Sequence, residues 1–320
     1  MHCRHNETHS GLPVRRSPCQ RFALAVMALV LAACGSCGES ATPEPVPTTT
    51  PTPRSAVGPP DLSEPAPTFV PTATRPMPTP VPTAEPAAQT ALSLTLHFAG
   101  ADGTPNTEVV KCLLYTPTGY GPGTGPGWPL ILFLHGQLEW GDDPSVLTRQ
   151  GLPKILSEGT NLPALVLAPQ SREGKRWWPQ TSLLSALLQT IQAEYHVDQS
   201  RIYLTGISMG GYGAWALAMA HPDQFAAVVP IAGGADYLPR DAPIPESICG
   251  LRDTPVWAFH GQLDNNVPVS ASMNAVKALK ECGGQPLLTI YPDTAHTETW
   301  DRAYGEPELW SWLFAQALAE

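Results

Sequence analysis

The chain has 320 residues, a net charge of −10, 37 prolines and seven cysteines. That length suffices for one large domain or two small ones. A net-acidic chain with no basic run excludes a nucleic-acid surface, and the cysteines exclude a zinc module: Cys34 and Cys37 form one C-x-x-C with no second pair or His cluster at zinc spacing.

The first 90 residues carry six charges of each sign, so the acidic excess lies wholly in residues 91–320. Arg15, Arg16 and Arg21 precede an apolar run of 12 residues, Phe22 to Ala33. Such a run is too short for a permanent membrane span and fits the core of a signal peptide. It ends in Leu31-Ala32-Ala33-Cys34-Gly35, which resembles a bacterial lipoprotein signal. The resemblance implies cleavage after residue 33, lipid on Cys34, attachment to a membrane through that lipid, and an extracytoplasmic location. Residues 39–90 hold 15 prolines and 11 threonines, with Phe69 the sole aromatic residue. Without a periodic apolar face this stretch cannot bury a core, and it is expected to be a disordered, polyproline-like tether. The organisation read from the sequence is therefore a signal at 1–33, a lipidated cysteine and linker at 34–90, and a catalytic domain at 91–320.

From Ala91 the pattern changes. Leu92–Phe98 alternates with period two, and Val109–Tyr115 follows as a second strand. Pro129–Leu134 is a continuous apolar run, expected of a strand buried on both faces. Leu165–Ala168, Arg201–Thr205, Ala226–Ile231, Val256–Phe259 and Leu287–Tyr291 complete the strands. Helix-length segments lie between them at about 145–158, 181–195, 209–220, 270–281 and 307–318. Strands alternating with helices predict an α/β fold, a mainly parallel sheet with helices on both faces. In such sheets ligands bind beyond the carboxyl ends of the strands, so the residues just after each strand are the candidates for chemistry.

The most informative of these junctions is Gly206-Ile207-Ser208-Met209-Gly210, between a strand and a helix. A serine at a sharp strand-to-helix turn needs small residues two positions either side. It also sits at a helix N-terminus, where backbone N–H groups stabilise a developing oxyanion. Ser208 is the expected nucleophile. After Pro129–Leu134 comes His135-Gly136-Gln137. The N–H of Gln137, or else of Leu138, is the expected partner of the Met209 N–H in an oxyanion hole, with His135 structural beneath the loop. With such an elbow the chain order is serine, acid, histidine. Three histidines follow Ser208: His221, His260 and His296. His221 closes the post-serine helix, about 20 Å away at about 1.5 Å per residue. His260 precedes the best acid, Asp264, leaving His296, in a loop after the last strand, as the base. Asp236 is the runner-up acid, and Asp293 is close enough to His296 to be a turn cap.

These stretches resemble the α/β-hydrolases of the dienelactone-hydrolase, polyhydroxybutyrate-depolymerase-like and predicted-peptidase esterase group. The resemblance is carried by Leu130–Gly136, Val197–Gly211, Phe259-His260-Gly261-x-x-Asp264-x-x-Val267-Pro268 and Tyr291-Pro292-Asp293-x-x-His296. It implies an α/β-hydrolase fold over nearly all of 91–320, with Ser208 as nucleophile, Asp264 as acid and His296 as base. Serine stands where dienelactone hydrolases carry cysteine, which moves this chain toward the esterases. The expected activity is carboxylic ester hydrolysis on a small or polymeric substrate, with no metal or organic cofactor. A peptidase and a non-catalytic binding protein on the same scaffold are the alternatives.

Trp177, Trp178 and Trp300 fall on the active-site side, either lining the substrate pocket or covering the core. Glu139, Asp142 and Asp143 form an acidic cluster after the oxyanion loop, read as a selective patch or a solvated cap. Among Cys112, Cys249 and Cys282, one disulfide is expected, Cys249–Cys282.

Overall fold

The computed structural model describes residues 85–320, except 101, 122–124, 126, 237–242 and 320. The expected signal at 1–33, Cys34 and nearly all of the Pro/Thr-rich stretch lie outside the described residues. Eight strands form one sheet: β1 (Ala88–Ala99), β2 (Pro105–Thr116), β3 (Trp128–Leu134), β4 (Leu165–Pro169), β5 (Val197–Ile207), β6 (Ala227–Ile231), β7 (Trp257–Gly261) and β8 (Leu287–Tyr291). Their spatial order is β1-β2-β4-β3-β5-β6-β7-β8. β1, β2 and β4 pair antiparallel; from β4 onward every pairing is parallel.

The helices are α1 (Gly151–Ser157), α2 (Thr181–Glu194), α3 (Met209–Ala220), α4 (Ser270–Glu281), α5 (His296–Tyr304) and α6 (Pro307–Phe314). Successive residues of a strand point to opposite faces, and β3 shows the consequence. Leu130, Leu132 and Leu134 join a core with Leu183, Leu187, Leu217 and Ala275 of α2, α3 and α4. Ile131 and Phe133 join a second core with Leu152 and Leu156 of α1, Trp300 of α5 and Leu309 of α6. The sheet is thus covered on both faces, which is why its central strands read as unbroken apolar runs.

The expected fold is the one observed. α3 and α4 begin and end where the pattern placed them. Two features differ. The segment expected as one helix over 145–158 is a 3-10 stretch, Pro144–Arg149, followed by α1, broken at Gly151 with φ +61°. The segment after β8, read as a loop through His296, turns into α5 at His296 itself. Its capping signal is Glu298, whose carboxylate accepts the Ala295 N–H at 3.1 Å.

Candidate active site

Ser208 links β5 to α3 with φ 52° and ψ −114°, a conformation that costs a non-glycine residue energy and aims the side chain out of the turn. The turn is held by its own backbone, since the Ser208 N–H donates to the Ile231 carbonyl at 2.9 Å. The small neighbours are required by contact. A Cβ at Gly210 would meet the carbonyl oxygen of Leu134, and one at Gly206 would meet that of Gly210. β3 and the elbow therefore approach backbone to backbone, which seats the serine beside the loop that follows β3.

Two further loops reach the same point. Ser208 Oγ lies 2.8 Å from His296 Nε2, and His296 Nδ1 lies 2.6 Å from Asp264 Oδ2. His296 is carried by the first turn of α5 and packs edge-on against Trp300, with ring centroids 5.1 Å apart. Asp264 sits in the turn after β7. Its Oδ1 accepts the N–H groups of Asn266 (2.9 Å) and Val267 (2.8 Å). Burial opposes its charge, but hydrogen bonds from His260, His296 and the Val267 N–H prevail and hold its carboxyl well below the usual carboxylate range. It is a fixed, ionised acceptor facing His296. Of the other acids, Asp293 pairs with Arg302 at 2.8 Å, and Asp236 lines the cavity described next.

Ser208 and His296 open into a cavity of about 440 Å³, within the roughly 300–1,000 Å³ of small-molecule sites. Gln137, Leu138 and Met209 line it together with Ser208. Trp178, Tyr212 and Trp300 supply its aromatic wall. Trp177 does not belong to it. It is 1% exposed, donates its indole N–H to the His135 carbonyl at 2.9 Å, and packs edge-on against the His135 ring at 4.9 Å. Adjacent residues in this turn point to opposite sides, and Trp177 takes the inner one, bracing the loop after β3 from below.

His135 is structural, as expected. Its Nε2 accepts the Ser171 N–H at 2.9 Å, so Nδ1 carries the hydrogen and donates to the Gly136 carbonyl at 2.5 Å. Burial pushes it down to about 4, which keeps the ring neutral. The acidic cluster does not act as a unit. Asp142 pairs with Lys111 at 3.0 Å, and Asp143 caps the next turn through the Ser145 N–H at 3.0 Å. Glu139 alone is buried and lines the cavity; burial raises its carboxyl above the ordinary value.

Tyr212 and Arg176 escaped the sequence reading, and His260 entered it only as a rejected base. Arg176 lies over Trp140 (5.2 Å) and Trp178 (5.6 Å) and donates to Gln137 Oε1 at 3.0 Å, tying one wall of the cavity to the loop after β3. His260, set aside as a base, stands beside Asp264 Oδ2 at 3.3 Å. Their only signals in the sequence were position: Arg176 in the loop before α2, and His260 four residues ahead of the acid.

A family model named Esterase, with the description "Putative esterase", matches residues 107–299, more than half of the chain. Among solved structures, a thermostable esterase is similar with a TM-score of 0.54 and 30% identity, covering 70% of this chain and 63% of that one. The feruloyl esterase module from Clostridium thermocellum complexed with sinapinate has a TM-score of 0.51 at 17% identity, over 74% of this chain and 92% of that one, a likeness of fold. A bifunctional acetylxylan esterase/xylanase from Neocallimastix patriciarum is 27% identical over 140 residues, which are 41% of this chain and 20% of that relative. The matched stretch thus spans about a fifth of that relative's length.

Proposed function

Because this chain belongs to the Esterase family, we propose that it hydrolyses carboxylic esters through an acyl-enzyme on Ser208, with His296 as general base and acid and Asp264 as the carboxylate that orients it. The observation that carries the reading is the unbroken hydrogen-bonded line Asp264–His296–Ser208, ending at a cavity of ligand size. His296 Nε2 takes the Ser208 proton as Oγ attacks the ester carbonyl. The N–H groups of Gln137 and Met209 hold the oxyanion, each worth about 3 kcal/mol in the transition state. His296 then protonates the leaving alcohol, activates a water, and the acyl group departs as the acid. Asp264 remains ionised throughout and keeps Nδ1–H of His296 pointed at itself.

The aromatic wall formed by Trp178, Tyr212 and Trp300 suits a flat or sugar-bearing ester, and the acetylxylan esterase among the relatives supports acylated plant-wall polysaccharide as the substrate class. The lipid on Cys34 and the Pro/Thr-rich segment would hold the domain at a membrane surface, within reach of a polymer outside the cell.

A fluorophosphonate probe tests the chemistry. The native protein is expected to be labelled and Ser208→Ala is not; absence of labelling, or equal labelling of both, would sink the enzyme reading in favour of a binding protein. A panel of p-nitrophenyl acyl esters beside peptide anilides then separates esterase from peptidase. Faster turnover of the anilides would replace the ester reading with the amide one.

A further inference from the structure

Asp264 Oδ2 is shared by two imidazoles. His296 Nδ1 reaches it at 2.6 Å from the cavity side, and His260 Nε2 approaches at 3.3 Å from the interior. His260 is the penultimate residue of β7, within its run of buried residues, and is 0% exposed. Its Nε2 also lies 3.0 Å from the Val267 carbonyl oxygen. Both atoms facing Nε2 are acceptors, so Nε2 carries a hydrogen and donates. On the far side of the ring, Nδ1 lies 2.7 Å from Ser272 Oγ, in the first turn of α4. That oxygen also lies 2.7 Å from the Gly233 carbonyl, in the loop after β6, and the single hydroxyl hydrogen serves either Nδ1 or that carbonyl. The ring is therefore pinned at both nitrogens, between three separate segments, and cannot turn away from the carboxylate.

We propose that His260 is a positioning residue that sets the basicity of His296 through the carboxylate oxygen they share. The hydrogen donated by His260 takes part of the charge of Oδ2, so less of it is available to favour the protonated form of His296. His260 also fixes Oδ2 in place, which the backbone N–H groups at Oδ1 do not do.

The groups facing this pair bear on its test. His296 also faces Ser208, and shares the cavity with Glu139, Arg176 and Asp236. Glu298 lies on its helix, and the Asp293–Arg302 pair braces the preceding loop. Toward His260, α4 presents Ser272, the loop after β6 presents the Gly233 carbonyl, and the turn after β7 presents Asp264. Substitution at 260 changes none of the other charged groups, so a displaced titration reports on His260.

The inference rests on the Ser208–His296–Asp264 reading, and the experiment separates the two. The pH dependence of kcat/KM for a p-nitrophenyl ester is measured on the full chain for wild type, His260→Leu, His260→Gln and Ser272→Ala, with active sites counted by fluorophosphonate. His260→Leu is expected to move the acid limb upward by about one pH unit. His260→Gln, whose amide can place an N–H at the Nε2 position, returns the limb toward wild type. Ser272→Ala leaves the ring in place but loose, giving a smaller shift of the same sign, and it decides the matter should His260→Leu fail to fold. An unmoved acid limb in the variants that still label, or equal effects of Leu and Gln, overturns the proposal and leaves His260 as packing. Absence of labelling in the wild type overturns the triad reading and this inference with it.

Discussion

Ser208 and His135 mark the two ways in which single residues bear a cost at this site. Ser208 holds φ at 52°, and His135 is buried with its ionisation suppressed to about 4. The second cost has a measurable consequence. An unfolded histidine titrates near about 6.5, so below that pH the unfolded chain takes up a proton that the folded chain refuses. Folded stability is therefore full above about pH 6.5 and is lost as pH falls toward about 4, by roughly 3 kcal/mol. Asp264, whose carboxyl is depressed, acts at lower pH: its contribution is present above about 3.9 and declines only as pH falls below that. The two windows do not coincide, so urea unfolding at pH 7, 6 and 5 isolates His135. His135→Gln is expected to flatten the slope in that range; a variant with the wild-type slope would show that another group titrates there. At this scale Ser208, Asp264 and His296 were legible because the elbow pattern and chain order restrict the choices. Trp177 was not, because nothing local to Trp177-Trp178 says which ring faces inward.

Between elements, the important junction is the one that keeps the loop after β3 against the start of α3. Trp177 braces it from below, and Arg176 ties it laterally through Gln137 Oε1. Arg176 also stacks with Trp140 and Trp178, so its removal loosens the aromatic wall and the oxyanion loop together. Arg176→Ala is expected to lower kcat on the order of tenfold while the protein stays folded, because a catalytic donor displaced by a fraction of an ångström loses much of its effect. Steady-state kinetics with thermal melting checks this; a change confined to KM would assign Arg176 to substrate binding alone. Element boundaries followed the sequence where a sharp signal existed. α3 starts at the elbow and α4 spans the predicted residues. α5 is hard to read from the sequence because its cap lies in Glu298, three residues after a non-polar Ala295, and its buried face, Thr299, Trp300, Ala303 and Tyr304, is short and begins with a polar residue.

Across the molecule, the sheet separates two cores, and the site lies where β3, β5, β7 and β8 end. The last third of the domain is closed by Cys249–Cys282, which links the segment before β7 to the end of α4 over 33 residues. A loop of that length restricts the unfolded chain enough to stabilise the fold by about 3–4 kcal/mol. Reduction, or a Cys249→Ser/Cys282→Ser double variant, is expected to lower the thermal midpoint while the proposed ester hydrolysis, read at room temperature, persists. Unaltered melting under reductant would show that the packing of α4 against the sheet suffices. Cys112 is buried in β2 and pushed up to about 12 by burial, so it does not compete for the bond.

The sequence by itself determined the alternation of strands and helices, the serine at its turn, and the chain order of Ser208, Asp264 and His296. These are consequences of local sterics and of a period that repeats along the chain. Only the tertiary structure decided which side chains share an atom. Ser208 meets His296 across 88 residues and His296 meets Asp264 across 32, and no local rule fixes such distances. His260 shows the limit most clearly: four residues from Asp264 in the chain, it reads as a strand end, yet the turn folds it back onto the oxygen that His296 uses. Its partners come from the turn after β7 and from α4, and packing of the sheet against its helices is what brings those two together.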